Sequence, residues 1–101
     1  MQIFVNPRAR IYQDARMKLS ELLREARESN GLTQSQVCAA MGRSKSWLSK
    51  VETNEQKVEG IELLMFATIY CRQLSYFSVV LEPVISDSLA ALAKIPRKPA
   101  Q

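Results

Sequence analysis

Histidine is missing from this chain of 101 residues, and cysteine occurs only twice, at Cys38 and Cys71. A tetrahedral site of imidazoles and thiols cannot be assembled from so few ligands, so no metal is expected, and nothing calls for another cofactor. The commonest general base of enzymes is absent too. With no paired-carboxylate motif and no glycine-rich phosphate loop, the chain is not expected to be an enzyme. Long apolar runs are lacking: no stretch approaches the roughly 18 consecutive apolar residues of a membrane span. The opening Met1-Gln-Ile-Phe-Val-Asn-Pro has no long apolar region before a small-residue cleavage site. These absences predict a cytoplasmic protein without a membrane segment, whose two thiols are reduced and packed. Strand signals are equally sparse. Ile3-Phe4-Val5 is the one candidate, and three residues need a partner strand, which a second copy could supply.

What is present is an ordinary folding composition, 47% hydrophobic and 24% charged, far from that of disordered chains. The length suits one modest core and a single compact domain. A formal charge of +4 favours an anionic partner without identifying it.

Glycine and proline, three and four in number, fall at the edges of periodic segments and divide the chain into four or five helices with flanking arms. A first helix is expected from between Tyr12 and Asp14 to Ser29, with Ala15, Leu19, Leu22, Leu23 and Ala26 inward. Gly31 suits the left-handed position after it. Thr33 and Gln36 have capping-box spacing, and Val37, Cys38 and Met41 give the second helix an inward stripe that Gly42 ends. Ser44 is a cap for a third helix through about Thr53. A fourth is expected from Glu59 or Gly60 to about Arg72. It is apolar nearly all round from Leu63 to Cys71, so it needs cover on more than one side, either from Leu74 to Leu81 folding back or from a second subunit. Pro83 is expected to interrupt that segment, Ser86 or Asp87 to cap a last helix from Leu89 to Ile95, and residues 96–101 to be a mobile tail.

Two short helices joined through a turn containing Gly42 have the plan of a helix-turn-helix. The segment from Gln34-Ser-Gln-Val-Cys-Ala-Ala-Met-Gly-Arg-Ser-Lys-Ser-Trp-Leu-Ser-Lys-Val to Glu52 resembles the lambda-repressor-like family, also called the Cro/C1 or XRE family. The likeness runs from about Leu19 to Leu74. It implies an all-α fold of five helices binding double-stranded DNA through a domain at 19–74; outside the likeness, residues 1–18 are expected to be an N-terminal arm and the start of the first helix, and 75–95 a helical dimerisation or partner-binding segment.

Successive helical residues turn by about 100°, which can be projected on the third helix independently of the likeness. Leu48 and Val51 point inward. Ser46 and Ser49 lie opposite, flanked by Lys45 and Lys50, and this small, polar, basic face suits a major groove. The four are the expected base-reading residues. Gln34 and Ser44, at helix N-termini where free N–H groups favour anions, suit phosphate contact. The resemblance implies this for Gln34 and for loop residues after the third helix, here Asn54 and Lys57. It also implies a structural ion pair between Arg27 and Glu52: if partly buried, removing either partner strands a charge at a cost of roughly 3 to 5 kcal/mol, and if exposed the pair is worth under about 1 kcal/mol.

Three positions depart from the family pattern. Arg43 stands where an apolar residue is usual and can turn outward toward phosphate, Cys38 replaces alanine, and Trp47 replaces a small residue, where packing is the favoured role. A redox response at Cys38 is a minor alternative to a buried small residue. The N-terminal arm, with Arg8, Arg10, Arg16 and Lys18 against Asp14, can follow DNA, form a dimer strand or be disordered. The expected partner is double-stranded DNA, bound by a homodimer acting as a repressor on a near-palindromic operator. The competing reading is the antitoxin of a toxin–antitoxin pair, gripping its toxin through residues 75–101; a pure protein-interaction module is a third.

Overall fold

In the computed structural model, residues 7 to 96 and residue 99 are described, the side chains from residue 9 onward. The candidate strand Ile3 to Val5, the side chain of Arg8 and most of the C-terminal tail lie outside these bounds. The fold is all-α, with no strand among the described residues. Helix α1 spans Pro7–Ser29, α2 Gln34–Met41, α3 Lys45–Glu52 and α4 Gly60–Ile69. A fifth helical run follows from Leu74 to Leu92, made of α5 (Leu74–Ser78), a 3-10 turn (Val79–Leu81) and α6 (Glu82–Leu92).

Local hydrogen bonds set most of these boundaries. Gly31, with φ of +67°, turns the chain out of α1, and the Asn30 amide donates to the carbonyls of Ala26 and Tyr70, at 2.7 and 2.9 Å, tying the ends of α1 and α4 together. At α2 the reciprocal box is complete: Gln36 N–H donates to Thr33 Oγ1 and Thr33 N–H to Gln36 Oε1. Gly42 closes α2 in the left-handed region, and Ser44 Oγ accepts from the Trp47 N–H to start α3.

Four expectations are corrected. α1 begins at Pro7, not at Tyr12 to Asp14: proline is tolerated in a first turn, and the earlier turns gain contacts along the 3-10 turn and α6. α4 stops at Ile69, short of Arg72, because Cys71 adopts a left-handed conformation (φ 53°) and Arg72 N–H bonds back to Ala67. Pro83 does not interrupt the last segment but sits in the first turn of α6, where its missing N–H leaves no helical bond unmade. The last helix accordingly starts well before Ser86 and ends at Leu92, not at Ile95.

The core joins Leu23 and Ala26 of α1, Val37 and Cys38 of α2, Leu48 and Val51 of α3, Phe66, Ala67 and Tyr70 of α4, and Phe77 of α5. Trp47, Phe66 and Tyr70 stack in series, with ring centroids 5.8 and 5.5 Å apart. The run from Leu74 to Leu92 packs mainly along α1. It therefore leaves an outer stripe of α4 bare: Ile61 is 67%, Leu64 53% and Met65 38% exposed. By length and composition the run from Leu74 to Leu92 could itself cross a membrane (mean hydropathy 1.2, 17% buried), although Glu82, Pro83 and Asp87 interrupt its apolar character.

Candidate nucleic-acid interface

α3 is amphipathic in a way that its eight residues make plain. Leu48, Val51 and Glu52 are buried, Trp47 is half-buried, and Lys45, Ser46, Ser49 and Lys50 are exposed on a shared arc. That arc carries two ammonium groups and two small hydroxyls and no carboxylate, since the helix's one acid, Glu52, is turned inward. The two short serines let the helix backbone approach the edges of base pairs, while the lysines reach out beside them.

The inward carboxylate is held by three donors. Arg27 Nε and Nη2 lie 2.6 and 3.0 Å from Glu52 Oε2 and Oε1, and Gln34 Nε2 donates to Oε1 at 3.0 Å. Arg27 Nη1 also donates to the Leu32 carbonyl at 2.8 Å. The hydrogen bond to Glu52 is the main cause that raises the guanidinium pKa above its ordinary value, against desolvation. This pair, with side-chain exposures of 13% and 3%, locks the C-terminal end of α3 to α1. Gln34 is thus both the first residue of α2, at an end rich in free N–H groups, and a partner of Glu52. It lines one concavity with Arg24, Ser49 and Thr53.

The remaining candidates fall in two groups. Ser44 and the exposed Ser46 have hydroxyls 3.4 Å apart at the start of α3, but the Ser44 hydroxyl is engaged as the cap. Arg43 is exposed, and its guanidinium pairs with Glu62 of α4 and lies 4.9 Å from the Trp47 ring centroid. The pairing gives Arg43 a structural role at the turn before α3, beside the phosphate contact expected of it. Asn54 and Lys57 occupy the loop after α3, where Asn54 takes a left-handed φ of 62° and the N–H groups of Glu55 and Gln56 both bond to the Lys50 carbonyl. Lys57 is exposed and Asn54 half-buried.

Two residues were not singled out by the sequence. Glu62 is 5% exposed; it receives the Glu59 N–H at 2.9 Å as well as Arg43. The Glu59-x-x-Glu62 spacing at the start of a helix was the available signal. Arg24, which lines the concavity beside Gln34, carried none, because only the tertiary arrangement brings α1 next to α3. Trp47 packs against Phe66. The Cys38 thiol is buried, donates to the Ser44 carbonyl at 3.2 Å, and is pushed up in pKa by burial, the opposite of the low-pKa, accessible thiol that oxidants find.

Residues 18–73 match the model of a family described as a helix-turn-helix domain, a span of more than half the chain. No curated protein and no solved structure matches the chain.

Proposed function

The chain belongs to the helix-turn-helix domain family, a DNA-binding family, and from that premise we propose that it is a sequence-specific transcriptional regulator, a repressor binding a near-palindromic operator as a homodimer. The observation that carries this reading is the exposed arc of α3, where Lys45, Ser46, Ser49 and Lys50 stand together without a carboxylate while Glu52 is locked behind them. These four read bases. Gln34 and Ser44 at helix N-termini, with Asn54 and Lys57 in the following loop, position the backbone phosphates. Repression follows from occupancy of the operator, in the cytoplasm.

The dimer reading is supported by the bare stripe of α4. Ile61, Leu64, Met65 and Thr68 share one face at helical spacing, uncharged throughout, as self-contact about a two-fold axis favours. The neighbouring Glu62 holds Arg43 at the entrance to α3. The homodimer proposed through this stripe would have half-sites about one helical turn apart.

Selection of bound duplexes from a random pool at fixed salt tests the reading, with a symmetric motif expected. Lys50→Ala should then change the preferred bases, and an unchanged operator with unchanged affinity would refute the assignment of the reading face. One observation favours a second reading, an antitoxin that also autoregulates: the run from Leu74 to Leu92 is only 17% buried, with Leu81 of the 3-10 turn and Ile85 and Leu89 of α6 exposed, a surface that a toxin could cover. Copurification of a small protein dependent on Ile85 and Leu89 distinguishes it from simple regulation.

A further inference from the structure

Between the middle of α1 and the loop after α3 lies a notch of about 160 Å3, lined by Arg16, Leu19 and Ser20 on one side and by Asn54, Gln56 and Lys57 on the other. No carboxylate lines it. Arg16 and Lys57 have no ion-pair partner among the described residues. The nearest acid of the loop, Glu55, accepts a hydrogen bond from Thr53 Oγ1 at 2.8 Å, at the end of α3. Ser20 is 7% exposed, yet among the described residues its hydroxyl has no hydrogen-bond partner. The hydroxyl is thus open to the notch and free to donate, and two like charges gathered on one recess repel unless an anion joins them. We propose that this notch binds a phosphate of the DNA backbone, with Arg16 and Lys57 as the paired cations and Ser20 and Asn54 as neutral donors.

The site rests on the DNA-binding reading and extends it beyond the helix-turn-helix. Arg16 precedes the matched span of 18–73 and is carried by the part of α1 that continues beyond it. Its role is to add one backbone contact flanking the bases read by α3, sequence-independent and sensitive to salt.

The test is binding of the full chain to a short duplex of arbitrary sequence across a salt series, comparing wild type with Arg16→Gln, Lys57→Gln and the double variant, each first shown to keep the wild-type melting temperature. Arg16→Gln should weaken binding by a similar factor on every duplex and lower the slope of log K against log salt by about 0.9, the loss of one neutralised phosphate. The double variant should lose less than the product of the single losses, because both cations serve one phosphate. An unchanged slope and affinity for Arg16→Gln, on a wild type that binds duplex with a normal salt slope, overturns the notch and leaves the DNA reading standing. Absence of duplex binding by the wild type overturns both. If inorganic phosphate alone raises the melting temperature of the wild type but not of Arg16→Gln, while the duplex salt slope is the same for both, the notch serves a free anion and the backbone assignment fails.

Discussion

Glu52 shows how one residue in this fold is made tolerable by its neighbours. A carboxylate buried to 7% exposure would be costly alone, but two nitrogens of Arg27 and the amide of Gln34 satisfy it. Arg27→Ala strands that charge and is expected to lower unfolding free energy by about 3–5 kcal/mol, measured by urea denaturation. Replacing both partners by methionine should recover most of the loss, since no lone buried charge then remains. Titration acts at the same scale. Burial raises the pKa of both the Cys38 thiol and the Tyr70 hydroxyl, so the unfolded chain loses these protons first. Stability should be fully present below the ordinary thiol pKa and fall as pH rises above about 9. Denaturation midpoints at increasing pH should decline, and Cys38→Ala should flatten the first part of that decline. A thiol reagent at neutral pH should find Cys71, which is exposed, and spare Cys38 until the protein unfolds.

Among the elements, α4 depends on a residue that does two jobs. Glu62 receives the N–H of Glu59 and the guanidinium of Arg43, joining the start of α4 to the turn before α3. Because the Arg43 side chain is 45% exposed, most of the energy belongs to the buried carboxylate and its cap rather than to Coulomb attraction. Glu62→Ala is expected to destabilise the domain by about 1–3 kcal/mol and to speed amide exchange in residues 60 to 63, which hydrogen-exchange mass spectrometry resolves. A uniform effect across all helices would argue against this local role. The boundaries of α2 and α3 were legible in the sequence because Thr33, Gly42 and Ser44 act on groups within four residues of themselves. The start of α1 and the course of α5 and α6 were not, because those turns are held by packing between segments at opposite ends of the chain.

For the molecule as a whole, the bare stripe of α4 is the feature to test. Ile61→Ser with Leu64→Ser should raise the dissociation constant of the proposed dimer by about tenfold or more and leave the monomer folded, since both side chains are largely exposed within it. Sedimentation equilibrium measures the first and circular dichroism the second. Unaltered dimerisation would remove α4 as the contact and direct attention to the exposed face of α6.

By itself the sequence determined the capped pair of short helices, the division of α3 into an inward and an outward arc, and the need of α4 for cover, because each rests on bonds or periodicity within a few residues. Tertiary structure decided that Arg43 turns to Glu62, that Gln34 joins Arg27 on Glu52, and that Arg16 faces Lys57 across a notch lined without a carboxylate. A long cation can be satisfied by any acid or anion within its reach, and only the packing of α1 against the loop and α4 against the turn selects which one that is.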